Sequence, residues 1–498
     1  MDDNKTKPEE NQPVPEQPTP IFEAVEESPP PSSEGDLKPE EISPDVTSPE
    51  DVSVPPADFE SAPPPVYEDN KNRYLMFGAG IIVFFLIFFF ILSLILKAFK
   101  TPQKEVKLVY WGLWEEKEIF DPLINQYQAE HKNIKIDYQK MSPDQYREKL
   151  IARSKNGQGP DIFRFHNTWL PEIKEIVSPL PESIMSKTEF EKTFYPIIQK
   201  DLKAGQYYYG LPLMIDGLVL IYNDSLFKKV GINSIPNTWE DIMDFAAKLT
   251  VKDQSGQLIT SGIAIGTASN LEHFSDILGM MLVQNGADLK NLNTNEAAQA
   301  LEAFRKFAEP PNNFWDESMP NSITAFIQEK VAMIFAPSWE ILVIKNNNPD
   351  IDLKVAPVPA VPGTSPISLA SYWVEGVSRY SKNQTEAWKF LKYLASKENL
   401  TKLYENESKY RLFGEPYPRV DLRELLMQNE YIGPVVKQAE SYVSLPLSSR
   451  TFDNGINDNI IQYLENAVNS TIEGVSYSEA LKTTKQGIDQ IFAQYQIE

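Results

Sequence analysis

Residues 74–96 read YLMFGAGIIVFFLIFFFILSLIL, twenty-three positions without a charge. At ~1.5 Å of rise per residue, a helix over them spans roughly 34 Å, enough to cross a hydrocarbon core of about 30 Å. A buried helix of a soluble domain is shorter and keeps a polar face. The run therefore predicts a transmembrane helix over 74–97. It splits the chain into a short N-terminal side and a large C-terminal one. A cleaved signal peptide starts at the N-terminus and has an apolar core of only ~7–15 residues. Here 73 residues precede a longer run. The chain has no cysteine, which excludes a lipid-bearing cysteine as the anchor.

Residues 1–73 hold 16 of the 39 prolines, and 19 Asp or Glu against 5 Lys or Arg. Their only aromatics are Phe22, Phe59 and Tyr67. Such a segment buries too little apolar surface to offset the entropy of ordering, so it is expected to be a disordered acidic tail. Its charge disfavours nucleic acid and anionic membrane surfaces as partners. Residues 98–103 read as a linker. The remaining stretch of about 400 residues exceeds what one core usually supports, which predicts two lobes.

The folded part opens with alternating elements. VKLVYWGLW reads as a buried strand entering an aromatic turn, and Glu116–His131 carries a helical stripe at Ile119, Phe120, Leu123, Ile124 and Tyr127. IKIDYQ follows as a strand. SPDQYREKLIARSKNG reads as a helix capped at Ser142–Pro143 and closed at Gly157, and PDIFRF as a third strand. Strand, helix, strand, helix, strand at this spacing implies parallel pairing in an α/β lobe. From Thr238 helices dominate, and from about Pro446 the chain is expected to be mostly helical.

Six segments, in this order, carry a resemblance. They are KLVYWGLW, GQGPDIFRFHNTWLPEI, GLPLMIDGLVLIYNDSLFKKVGINSIPNTWEDI, AFIQEKVAMIFAPSWEI, VAPVPAVPG and SYWVEGVSRYSKNQTEAWKFLKYL. Across residues 105–490 the chain resembles the extracytoplasmic solute-binding proteins of ABC sugar importers, the branch that includes maltose-binding protein. The resemblance implies a two-lobed, type II periplasmic-binding-protein-like α/β fold with a hinge. Its solute-binding domain would cover 104–498, with one lobe from roughly 104–215 plus 365–398 and the other from 216–355 plus 400–498. Ligand would sit beyond the carboxyl ends of the strands. Members usually carry a cleaved signal or a lipid anchor, whereas this chain has an internal apolar run.

Sugars present apolar ring faces and hydroxyl edges, so their sites need flat aromatics together with a few charged or amide groups. The turn residues Trp114, Trp339 and Trp373 fit the first need. By motif position the resemblance implies ligand contacts at Glu115, His166, Asn167, Asp216 and Trp339. It adds Glu272 and Phe274 from a further loop. Trp111, Trp239 and Trp388, inside regular elements, are expected in the core. Asp216 could equally cap or ion-pair, and a lone His166 is more often structural.

The three histidines, His131, His166 and His273, lack metal-ligand spacing. No nucleophile elbow or phosphate loop is present in the sequence, so neither enzyme activity nor a cofactor is expected. The expected function is a membrane-anchored protein that captures a carbohydrate or polyol for ABC permease subunits. A ligand sensor or receptor built on the same fold, its tail reaching a partner across the membrane, is the alternative. Lys71 and Arg73 precede the apolar run, whereas Lys97, Lys100, Lys104 and Lys107 follow it. Flanking charge thus opposes the family topology of tail inside and lobes outside. The family topology is the one expected here.

Overall fold

The computed structural model describes residues 71–98, 104–361, 363–364 and 366–497. The expected tail, except for its last three residues, lies outside them, and so does most of the linker. The chain divides into two units, Met1–Ser93 and Leu94–Glu498. The apolar run lies inside a helix, Lys71–Ala98, which begins in the first unit and ends past Ser93. Side chains are described there over residues 78–92, and Ile81 to Leu92 are all exposed. Among the described residues, no helix is long and apolar enough to cross a membrane.

The second unit contains twelve strands among its described residues. In chain order they are β1 (Val106–Gly112), β2 (Ile134–Lys140), β3 (Ile162–His166), β4 (Lys203–Ala204), β5 (Tyr207–Tyr208) and β6 (Leu211–Pro212). Then come β7 (Leu218–Asn223), β8 (Val251–Lys252), β9 (Leu258–Thr260), β10 (Met333–Pro337), β11 (Leu353–Ala356) and β12 (Trp373–Val377). One sheet has the order β2-β1-β3-β12-β6. Its first three strands are parallel, as the crossover helices require, and β12 returns antiparallel between β3 and β6. The other sheet, β10-β7-β11, is wholly antiparallel. Two short ribbons, β4-β5 and β8-β9, complete the pairing.

Each sheet carries its own helices, which makes two α/β lobes. On the first, Lys117–Glu130 presents Ile119, Phe120, Leu123, Ile124 and Tyr127 to the core, the stripe read from the sequence. Tyr127 meets Phe390 of helix Gln384–Leu394 edge-on at 5.0 Å. Trp388 of that helix is fully buried, as expected for core. On the second lobe, helix Trp239–Leu249 starts in a capping box formed by Thr238 and Asp241. Trp239 is only half-buried there: its ring packs on Phe335 while its Nε1 donates to Gln284. The long helices Ile456–Ile472 and Tyr477–Tyr495 pair with each other, and the latter also packs on helix Asn295–Arg305.

Two expectations need correction. The chain from residue 400 was assigned to the second lobe. Helix Lys397–Glu407 instead packs on Lys117–Glu130 of the first, and Asn406 Nδ2 donates to Ile119 O at 3.2 Å. The helix expected from Ser142–Pro143 begins only at Tyr146, because Ser142 Oγ accepts from Asp144 N in a turn and Gln145 is left-handed. From Pro446 the chain is mostly helical, as expected, through Ile456–Ile472 and Tyr477–Tyr495. Residues 446–455 are irregular, and the next helix starts at Ile456.

Three extended segments cross between the sheets and pair side by side. Leu218 N donates to Leu369 O at 3.2 Å and Ser371 N to Asp216 O at 2.9 Å, which ties the first crossing to the second. Ala370 N donates to Val443 O at 2.9 Å and Val443 N to Ser368 O at 3.0 Å, which adds the third. The packing is close enough to require glycine. A Cβ on Gly217 would stand 2.3 Å from Leu369 O and 2.8 Å from the Tyr442 ring.

Candidate functional site

The loops at the carboxyl ends of β1 and β3 and at the start of β12 converge beside these crossings. Trp373 opens β12 and pairs in register with His166, the last residue of β3. Its ring is packed edge-on by three others: Trp114 at 5.4 Å, Trp169 at 5.4 Å and His166 at 5.1 Å. Trp114 also meets Phe452, 6.4 Å away. Trp169 is fully buried, so it supports the cluster from below. Trp114 keeps 37% of its surface exposed, and Trp373 and Phe452 are half-buried. The result is an open wall of aromatic rings rather than a closed core.

The polar groups around this wall are mostly committed. His166 is buried; its Nδ1 contacts Thr168 Oγ1 at 2.8 Å and its Nε2 contacts Ser371 Oγ at 3.2 Å. Burial pushes its pKa down to about 3, so it is neutral at ordinary pH. Asn167 Nδ2 donates to Asp201 Oδ2 at 3.0 Å and to Ser444 Oγ at 3.3 Å. Glu115 does not project into the open space. It is buried, and its carboxylate pairs with Arg164 beneath the rings. Asp216, on the first crossing, is fully buried. It accepts from Gly217 N at 2.8 Å, Ser338 N at 3.2 Å and Ser338 Oγ at 2.9 Å. It therefore clamps the turn that precedes Trp339.

A second group of the expected residues lies in the second lobe. Trp339, the first residue of helix Trp339–Asn347, is half-buried and meets His273 at 5.7 Å. His273 contacts Glu340 Oε1 at 3.2 Å and Ser449 Oγ at 2.7 Å. Glu272 pairs with Arg450 at 2.5 Å and accepts from Asn321 Nδ2 at 2.7 Å. Phe274 is buried at the start of its helix, Phe274–Gln284.

The two groups are joined by a segment that sequence reading missed. Residues 444–454 leave the third crossing and touch both. Ser444 donates to Asp201 at 2.7 Å, Ser448 contacts Ser371 at 2.9 Å, and Ser449 N donates to Asp276. Beyond these, Arg450 reaches Glu272 and Phe452 reaches Trp114. Arg450, Phe452 and Asn454 all have left-handed backbones, with φ of 63°, 57° and 46°. Such strain persists only where the surroundings enforce it, and it concentrates at functional sites. The sequence signal was SRTFDNG, a polar run with one aromatic and an Asn-Gly turn.

A recess of about 510 Å³ opens beside Phe452, lined also by Asp144, Gln145, Arg450, Asn454 and Asp458. A larger cavity, of about 770 Å³, shares Asn167, Thr168, Asp201 and Ser444 with the site but otherwise runs between the flank of the first lobe and residues 494–497 at the end of the last helix. The ring wall borders only the smaller one. Among the described residues, no group of three or more His, Asp or Glu could hold a metal ion.

Buried carboxylates make the body sensitive to pH. Burial raises Asp216 to about 7 despite its three hydrogen bonds, and Asp201 to about 6 despite donors from Ser444, Tyr372 and Asn167. Glu172 and Glu407 rise to about 8, again chiefly by burial. A carboxyl raised in the folded state holds a proton that the unfolded chain releases above about pH 4. Its contribution to stability is therefore full below that pH and is lost as pH climbs through the folded value. The thermal midpoint of residues 101–498 is expected to fall between about pH 5 and pH 8. Asp216→Asn should flatten the decline between pH 5 and 7. Melting curves across that range check it, and a midpoint that rises towards pH 8 contradicts it.

Comparison with known proteins agrees with this architecture. The family model described as bacterial extracellular solute-binding protein matches residues 112–401. A maltotriose-binding protein of Pyrococcus abyssi is 24% identical over 319 residues, covering 59% of this chain and 64% of that protein. The maltodextrin-binding protein MdxE of Bacillus subtilis is 25% identical over 257 residues, 48% of this chain and 57% of that one. Among solved structures, the sugar-binding protein MalE from Xanthomonas citri superposes with a TM-score of 0.65 at 18% identity, covering 78% of this chain and 98% of that one. With the family match spanning more than half of its length, the chain belongs to the bacterial extracellular solute-binding proteins.

Proposed function

We propose that residues 104–498 capture a carbohydrate or related polyol outside the cytoplasm and deliver it to ABC permease subunits. The observation that carries this reading is the half-open ring wall of Trp114, Trp373 and Phe452 beside the hinge. Flat rings with partly free faces suit the apolar faces of a sugar, and side chains such as Glu272 and Arg450 suit its hydroxyl edges. Trp339 stacks from the opposite lobe. Glu115, His166, Asn167, Asp216 and Phe274 act from beneath, because all five are buried. The names of the maltotriose- and maltodextrin-binding relatives point the same way.

In the same reading, helix Lys71–Ala98 anchors this body to a membrane. Counted in the sequence over residues 74–96, beyond the positions 78–92 whose side chains are described, the charge-free run is long enough to span, and every side chain from Ile81 to Leu92 lies open. An apolar surface that continuous is stable in lipid and not in water. The acidic tail then lies in the cytoplasm. The lysines after the run oppose this orientation, but long domains translocate largely regardless of nearby charge.

Two experiments test the proposal. Calorimetric titration of residues 101–498 with malto-oligosaccharides and a polyol panel should show binding without turnover. Saturation at 100 times Kd should add about 2.7 kcal/mol of stability. Trp114→Ala and Trp339→Ala should weaken binding and leave the fold intact. Trp388→Ala should instead cost roughly 3–5 kcal/mol of stability. Turnover of the ligand, or no saccharide or polyol bound, contradicts the reading. Protease shaving of intact cells tests the anchor. Residues beyond Lys100 should be digested while an epitope near residue 30 survives, and the reverse pattern overturns the topology.

A further inference from the structure

Arg164 lies on β3, the central strand of the first sheet, and is almost wholly buried. A charge in such a place needs partners of opposite sign, and it has two. Its Nε donates to Glu375 Oε1 at 2.7 Å, and its Nη1 donates to Glu115 Oε2. Both carboxylates are themselves buried. Their positions are informative. Glu115 follows Trp114 directly, and Glu375 stands two residues after Trp373 on β12.

The register sets these groups in two layers. Trp373 pairs with His166, and Glu375 pairs with Arg164. Alternate residues of a strand share a face, so the Trp373–His166 pair and the Glu375–Arg164 pair lie on one side of the sheet. The ionic pair forms the floor one step below the ring pair. Glu115 reaches the same guanidinium from the loop after β1, which brings Trp114 against Trp373 with ring centres 5.4 Å apart. Tyrosines fix the surroundings. Tyr146 Oη donates to Arg164 O at 2.9 Å and Tyr138 Oη to Glu115 O at 2.8 Å.

Stability alone does not explain the arrangement. Well-packed apolar residues of the same volume often replace a buried ion pair at no loss. What an apolar replacement lacks is the fork of a guanidinium, whose planar donors fix two carboxylates in one relative geometry. We propose that Arg164 is a positioning residue for the ring wall: by gripping Glu115 and Glu375 together, it sets the angle and spacing of the Trp114–Trp373 pair. This rests on the reading of that pair as the binding surface.

The test uses the full-length chain in detergent micelles and a readout that needs no ligand, the far-ultraviolet exciton couplet of two adjacent indoles. Trp114→Phe identifies the part of the signal that belongs to the pair. The triple variant Glu115→Gln, Arg164→Met, Glu375→Gln removes the fork while leaving no unpaired charge. It should lose most of that couplet while still melting cooperatively. Arg164→Lys, which keeps the charge without the planar fork, should lose part of it and carries the test if the triple variant does not fold. An intact couplet in either cooperatively melting variant overturns the proposal. Maltotriose titration adds a second reading. Where the wild type binds it, the folded variants should bind about tenfold or more weakly, the scale on which outer-shell partners act, and unchanged affinity overturns the proposal too. A wild type that binds no saccharide defeats the sugar-binding reading, while the couplet still judges the role of Arg164.

Discussion

Three chain segments that cross from one sheet to the other and hydrogen-bond side by side hold this body together. The backbone pairing of residues 216–218, 368–371 and 443 makes a narrow ribbon out of what would otherwise be separate connections. Several candidate site residues are placed by reference to it. Asp216 is on the first crossing, Trp373 begins where the second ends, and Phe452 hangs from the extension of the third. A ribbon held by a few main-chain bonds is where two lobes can turn relative to each other, since hinges are short runs that absorb the change in backbone angles. Gly217 has no room for a side chain there because the neighbouring backbone is already in contact.

On that frame, charge and aromaticity occupy different levels. The floor is ionic, with Arg164 between Glu115 and Glu375 and no water-exposed escape for any of the three. The wall above it is aromatic, with indoles that support each other edge-on and leave faces free. Rings fixed from below bind at a lower entropic cost than rings that must first be ordered, because the rotamers are already chosen. Buried carboxylates elsewhere, Asp201, Asp216, Glu172 and Glu407, bind their protons more tightly than free carboxyls do. The same low-polarity interior that strengthens the floor weakens the body as pH rises.

Much of the framework was legible from periodicity. The strands VKLVYWG, IKIDYQK and IFRFH and the stripe of helix Lys117–Glu130 are where pattern and turn residues put them. The aromatic turn at Trp114 was also readable, since it follows the end of β1, whereas Trp373, expected in a turn after a strand, is the first residue of β12. Three things were not legible. The lone charge of Arg164 inside an otherwise apolar strand went unread, although a charge in such a run demands buried partners. The partners lie 49 and 211 positions away, beyond the reach of any local pattern. The bridging segment 444–454 went unread between the third crossing and the helices after it, because its left-handed turns at Arg450, Phe452 and Asn454 are imposed by contacts with both lobes. Burial of Glu115 could not be told from exposure, because a carboxylate after an aromatic turn suits either.

The central claim is that a saccharide rests on the wall formed by Trp114 and Trp373, with Trp339 opposite. Fluorine NMR of residues 101–498 labelled with fluorotryptophan tests it most directly. The eight tryptophans can each be assigned by single substitution. Titration with maltotriose should shift the resonances of Trp114, Trp373 and Trp339 and leave those of Trp315 and Trp388 in place. Shifts confined to the core tryptophans, or none at any position up to saturating saccharide, would contradict the account.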